Sequence, residues 1–250
     1  MNDLVLLKLG GSIITDKSSD DDCVVDHQRL KRISREIADR GMTLIIVHGA
    51  GSCGHPQAQR FRLNEHLKPE TVQGIYITHE AVASLNREVV AELREAGIEA
   101  VGIHPFEIST AKNGRIVSFN TDIIKMLLKY GITPVLHGDV VMDTARGACI
   151  ISGDQIINYL AKQLGIIKVG LATKVPGIIQ SGEVVRLITK DNLNDLDISG
   201  SSDTDVTGGM KGKITEMLLL AENGTESAIF GESMIGEFLD GKEHGGTIVR

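Results

Sequence analysis

Short apolar runs alternate along this chain with stretches in which apolar residues recur every three or four positions. The runs are Leu4–Leu9, Thr43–Val47, Ala100–Ile103, Pro134–Leu136, Ile167–Leu171 and Ser227–Phe230. None shows the alternation of a strand with one wet face, so all six read as strands covered on both sides. The periodic stretches read as amphipathic helices. Leu30, Ile33 and Ile37 form one stripe behind Asp26 as N-cap, and Val82, Leu85, Val89 and Leu93 form another. Ile123, Met126, Leu127 and Tyr130 form a third, closed by Gly131, and Ile156, Ile157, Leu160 and Leu164 a fourth, closed by Gly165. Ile214, Met217, Leu218 and Ala221 form a fifth, ending near Gly224. Such alternation predicts an α/β fold, a mostly parallel central sheet sandwiched by helices.

Three hairpins interrupt the pattern. Asn113-Gly114 is one turn, Asp143–Gly147 joins Val140–Met142 to Ala148–Ile151, and Ser181-Gly182 joins Ile178-Ile179 to Val184–Ile188. Residues 191–205 read as loop. No repeat or linker is visible, so residues 1–250 read as a single domain with a weak lobe boundary near Gly165, dividing 1–165 from 166–250.

Composition narrows the partners. With 250 residues, 42% of them hydrophobic, the chain can bury a sizeable core. A formal charge of −7 gives no reason to expect nucleic acid, so any phosphate must be met by a few placed cations. Aromatic residues make up 3% and Trp is absent, so a nucleotide base is expected to rest on backbone and aliphatic groups. Cys23, Cys53 and Cys149 follow no metal or disulfide spacing and read as reduced thiols of a cytoplasmic protein. No metal-ligating cluster is apparent. No run is long enough to span a membrane.

The candidate chemistry lies in glycine-rich strand ends. Lys8-Leu9-Gly10-Gly11-Ser12 closes the first strand, and Gly49-Ala50-Gly51-Ser52-Cys53-Gly54-His55 closes the second. Glycines there let bare amides close on an anion, and a following helix N-terminus adds partial positive charge. Two such loops suggest two phosphate-bearing ligands meeting head to head, the geometry of phosphoryl transfer. A lysine ending a buried run, such as Lys8, is costly unless paired or wet. Asp205–Lys213 is a third glycine-rich helix entry, with Gly208, Gly209 and, one turn in, Lys213. In Ser152-Gly153-Asp154 the carboxylate reads as an N-cap, or as a group that orients lysines or meets the acceptor. His137-Gly138-Asp139 reads as structural. None of these segments matches the Gly-x-x-x-x-Gly-Lys-Ser/Thr phosphate loop.

Taken in order, Lys8–Ser12, Gly49–His55, Gly138-Asp139, Ser152–Asp154 and Asp205–Lys213 resemble the amino acid kinase superfamily, and the likeness runs on to Gly246-Thr247-Ile248. The histidine ending the second loop and Thr15-Asp16-Lys17 look like those of its isopentenyl phosphate kinase branch. The resemblance implies an open αβα sandwich, the amino acid kinase fold, a homodimer, and transfer of phosphate from ATP, with Mg²⁺, to isopentenyl phosphate. It implies nucleotide contacts from Lys8, Gly10, Gly11, Ser12, Gly51, Lys174, Gly208 and Lys213. It places the acceptor by Ala50, Gly51, Gly54, His55, Gly153 and Asp154, and gives catalytic roles to His55, Lys17 and Lys8. The family usually has Thr-Asp-Val-Asp-Gly where this chain has Thr173-Lys174-Val175-Pro176-Gly177, beside the nucleotide. Fosfomycin kinases share the histidine-bearing loop, and other members phosphorylate carboxylates or carbamate. A catalytically silent nucleotide sensor is the alternative of another class. An isoprenoid tail would need an apolar wall, for which Ile75, Ile77, Val82 and Leu85 are candidates.

Overall fold

The computed structural model describes residues 4–16, 23–193 and 209–250. Strand β1 (Val5–Leu9) leads into the single-turn helix α1 (Gly11–Ile14) and a ribbon of β2 (Thr15–Asp16) and β3 (Val24–Val25). Helix α2 (His27–Ala38) precedes β4 (Leu44–His48); α3 (Gly51–Arg60) and α4 (Gln73–Glu95) precede β5 (Ala100–Gly102). Then come α5 (Pro105–Ile108), the hairpin β6 (Ser109–Lys112) and β7 (Arg115–Phe119), α6 (Asp122–Lys129) and β8 (Thr133–His137). The hairpin β9 (Asp139–Asp143) and β10 (Gly147–Ile151) is followed by α7 (Gly153–Leu164) and β11 (Lys168–Thr173). Three two-residue strands, β12 (Ile179–Gln180), β13 (Glu183–Val184) and β14 (Leu187–Ile188), come next. The chain closes with α8 (Gly209–Ala221), β15 (Glu226–Gly231), α9 (Ile235–Leu239) and β16 (Thr247–Val249).

All six apolar runs become strands of one eight-stranded sheet, ordered β14-β16-β15-β11-β1-β4-β8-β5. Its pairings are parallel except β15 with β16. Successive side chains leave a strand on opposite faces, so each run feeds two cores. Leu6, Ile45, Val47 and Leu136 pack on α7 and α8 through Ile156, Leu160, Ile214 and Met217. Leu7, Leu9, Ile46 and Val135 pack on α2 and α4 through Leu30, Ile33, Leu85 and Val89. Helices on both faces of a mostly parallel sheet make the αβα sandwich. No helix of the described residues is long and apolar enough to cross a membrane.

Three expectations are revised. The stripe on α6 lies on another face: Ile124 is buried, whereas Ile123, Met126 and Tyr130 are exposed. Asp122, Lys125 and Lys129 share one side of this helix, and the apolar arc opposite them is wide enough that the buried face centres on Ile124 and Leu128 and leaves Ile123, Met126 and Tyr130 at its exposed edge. The segment Val184–Ile188 is divided. Gln180 and Glu183 pair around the turn at Ser181 and Gly182, both with positive φ, but β14 joins the main sheet beside β16. The cysteines are not all thiols, for Cys23 and Cys53 form a disulfide and Cys149 alone is a free, buried thiol. Burial pushes that thiol up to about 12. Most of the expected 191–205 loop falls outside the described residues.

Candidate active site

The carboxyl ends of β1, β4, β8 and β11 open into a cleft of about 520 Å³. The chain builds β4 and β8 on one side of β1 and β11 on the other, so the cleft occupies the switch point where open α/β sheets bind ligands. Lys8, Gly10, Gly11, Ser12, Ala50, Gly51, Gly54, His55, Gly153, Asp154, Lys174 and Lys213 all line it. Lys17 and Gly208 lie outside the described residues.

The two glycine loops meet backbone to backbone. A Cβ on Gly11 would lie 2.3 Å from the Gly51 nitrogen, and one on Gly49 would lie 2.7 Å from the Gly11 nitrogen. The seam therefore excludes side chains. Thr15 fastens it: its hydroxyl donates to the Gly11 carbonyl at 2.9 Å and accepts from the Ser52 amide at 3.2 Å. Among the described residues no protein acceptor takes the amides of Gly11, Ser12, Ala50 or Gly51. Along the cleft these remain as donors for an anion.

Lys8 projects from the β1 face that packs on α7, and so reaches the start of that helix. Ser152, not Asp154, caps α7, its hydroxyl accepting from the Gln155 amide. Asp154 is thereby released from capping and stands between two ammonium groups, with Lys8 Nζ 2.7 Å from Oδ1 and Lys213 Nζ 3.4 Å from Oδ2. Burial alone would raise this carboxyl, yet Lys213 and Lys8 together hold it down at about 2. It is therefore ionised at any physiological pH and fixes the direction of both lysines. Gly153 makes room for this, since a Cβ there would come within 3.2 Å of Lys8 Cε.

His55 lies one turn into α3 and lines the same cleft as the lysines. The α4 side contributes Thr78 and Val82, one helical turn apart, beside Ala58 and Ile150. The other members of the expected apolar wall point elsewhere. Leu85 belongs to the main core, and Ile75 and Ile77 cover a satellite cluster of Phe61, Leu63, Val140 and Ala148. The sequence gives no sign of Arg29 and Thr78, which enter the cleft only through packing, and it marks Thr15 only as a neighbour of Lys17 in Thr15-Asp16-Lys17.

His137-Gly138-Asp139 holds a buried polar cluster. His79 Nδ1 lies 3.1 Å from Asp139 Oδ2, which also accepts from the Phe106 amide. His104 Nδ1 lies 2.8 Å from His137 Nε2, and Asn86 Nδ2 lies 3.1 Å from His48 Nε2. Burial lowers His48 to about 4 and holds His137 well below its ordinary value.

This chain belongs to the amino acid kinase family, whose model matches residues 3–231. Within that family its curated relatives include isopentenyl phosphate kinases. The enzyme of that name from Methanothermobacter thermautotrophicus is 39% identical over 261 aligned residues, covering 98% of each chain. Its counterpart from Haloferax volcanii is 35% identical, covering 99% of this chain and 98% of that one. A solved isopentenyl phosphate kinase structure, 35% identical, superposes with a TM-score of 0.86 over 98% of this chain and 99% of that one.

Proposed function

We propose that this chain is an ATP-dependent isopentenyl phosphate kinase that forms isopentenyl diphosphate and ADP. The observation carrying this reading is one cleft that holds two abutting glycine loops, the Lys8–Asp154–Lys213 cluster and His55. The nucleotide takes the side of Gly10, Gly11, Ser12, Lys174 and Lys213, together with Gly208, and the acceptor takes the side of Ala50, Gly54, His55 and Gly153. Residues 1–165 then serve mainly the acceptor and 166–250 the nucleotide.

A monophosphate has a second pKa of about 6 and is largely dianionic at neutral pH, so its oxygen attacks the γ-phosphorus without a general base. A new O–P bond forms as the bond to the ADP oxygen breaks. The obstacle is repulsion between two polyanions. Lys8, Lys213 and Lys17 offset it, with loop amides and His55 as donors, and rate comes from positioning and electrostatics. Mg²⁺ enters as part of the nucleotide substrate. Both Asp154 oxygens already face ammonium groups, and the described residues contain no cluster of three or more ligating side chains. Val82, Ala58 and Ile150 offer the isoprenoid tail an apolar wall. We take the enzyme to act as a cytoplasmic homodimer.

The test is ADP release measured with isopentenyl phosphate, dimethylallyl phosphate, fosfomycin, glutamate and carbamate in parallel. The reading expects the isoprenoid monophosphates to be turned over best. Turnover only with fosfomycin or a carboxylate would overturn the acceptor, and ATP binding without any turnover would favour a nucleotide sensor.

A further inference from the structure

The second glycine loop and the start of β9 are each preceded by a fully buried histidine, His48 and His137. These two residues pair in register on adjacent parallel strands, and their rings stack with centroids 5.5 Å apart. Each ring folds back on its own chain. His48 Nδ1 lies 3.0 Å from the Gly49 carbonyl, and His137 Nδ1 lies 3.0 Å from the Gly138 carbonyl. A carbonyl can only accept, so Nδ1 carries the proton in both rings.

The opposite nitrogens agree. Asn86 Nδ2 lies 3.1 Å from both His48 Nε2 and the Val135 carbonyl, so the amide must present its NH₂ to both, and His48 Nε2 must accept. His104 Nδ1 lies 2.8 Å from His137 Nε2, and with the His137 proton on Nδ1 that contact takes its donor from His104. Both rings are thus Nδ1–H tautomers, and both are neutral: a proton on His48 Nε2 would meet the Asn86 NH₂ donor to donor, and complete burial disfavours the charged form of His137.

We propose that His48 and His137 are positioning residues of the phosphate cleft. In a trans peptide the carbonyl of one residue and the amide of the next point opposite ways. By holding the Gly49 carbonyl down toward the sheet end, His48 turns the Ala50 N–H up into the cleft, where no described protein group accepts it. His137 holds the Gly138 carbonyl in the same way, and the Gly138 amide donates to the His48 carbonyl at 3.1 Å, tying the two strand ends together. The inference rests on the phosphoryl-transfer reading of the cleft and names the parts that aim one of its amides.

Two substitutions separate this role from a merely structural one. In His48→Asn the side-chain amide takes the place of Nδ1 and can still reach the Gly49 carbonyl. In His48→Gln it takes the place of Nε2 and keeps only the Asn86 contact. We expect His48→Asn to stay near the wild-type KM for isopentenyl phosphate and His48→Gln to raise it about tenfold, the effect of one lost hydrogen bond to a charged group. The thermal midpoints of the two variants should be similar. Equal KM values, or a better His48→Gln, would overturn the proposal.

Long-range ¹H–¹⁵N spectra of the wild-type imidazoles supply an arm that requires neither turnover nor a folded variant. Both rings should show the Nδ1–H tautomer without titrating between pH 5 and 8. Nε2–H signals or titration would refute the assignment. If the wild-type protein turns over none of the acceptors, the functional reading fails while these spectra still decide the tautomer.

Discussion

The Lys8 ammonium lies 2.7 Å from Asp154 Oδ1, and the two side chains are only 7% and 8% exposed. With Lys213 on the other oxygen, one carboxylate holds two cations that would otherwise repel each other in a buried place. Removing one partner of such a buried pair costs on the order of 3–5 kcal/mol. Asp154→Asn should therefore lower the thermal midpoint and the turnover together. ATP, which supplies the missing negative charge, should raise the midpoint of Asp154→Asn more than that of the wild type. Calorimetry with and without ATP checks this, and an equal gain in both proteins would contradict it.

His55→Ala should leave the fold intact and cut turnover severely, because a single preorganised donor is typically worth about 3 kcal/mol at the barrier. Near-normal activity in a folded variant would remove His55 from the mechanism. Lys17→Ala is expected to slow transfer as well. If it matches a neutral surface change, the lysine does not meet the migrating phosphoryl group.

Acid should weaken the protein in two separate steps. His48 binds its proton at about 4 when folded against an ordinary 6.5, so the unfolded chain takes up more protons as pH falls between these values. Stability must then decline from about pH 6.5 to about 4, by roughly 3 kcal/mol for this ring. His137 acts in the same direction, whereas His79, raised by its hydrogen bond to Asp139, opposes it. Asp154, depressed by the lysines, contributes stability that is lost only lower, as pH falls from its ordinary 3.8 toward 2. Urea unfolding at pH 7 and pH 4.5 should reveal the first step. His48→Asn should flatten it.

Gly11→Ala should impair both ligands at once. The new Cβ would sit 2.3 Å from the Gly51 nitrogen, so the seam must part, at a cost of about 1–3 kcal/mol and with both amide sets displaced. A calorimetric titration showing that only ATP or only the acceptor is affected would argue against a shared seam.

The disulfide between Cys23 and Cys53 closes a loop over a sequence separation of 30. Chain-entropy arguments assign such a loop about 3–4 kcal/mol. Thiol titration of the unreduced, denatured protein should find one reactive group, Cys149, and reduction should lower the thermal midpoint. Three free thiols would restore the expectation drawn from cysteine spacing.

What was legible follows from how local each signal is. Strand ends with paired glycines announce themselves because few other residues permit backbones to meet as Gly11 and Gly51 do. Lys8 was conspicuous as a charge in an apolar run. The rest depends on what crosses between elements. Whether Ile123 or Ile124 faces inward on α6 is settled by the neighbours, not by spacing. The cap of α7 fell to Ser152 because Asp154 was wanted by Lys8 and Lys213. The reading of His48 and His137 needed the register that sets them side by side, and the motif Thr15-Asp16-Lys17 says nothing of Thr15 as the clasp of the glycine loops.

Under the proposed function, the seam of Gly11, Gly49 and Gly51 would serve as a ruler. Since it is made of main chain alone, no rotamer change can lengthen the gap that the phosphorus atom must cross. Retuning which molecule is phosphorylated then falls to the far wall, at Thr78, Val82 and Ile150. Under that reading, substitutions there should alter acceptor choice without disturbing the distance of transfer.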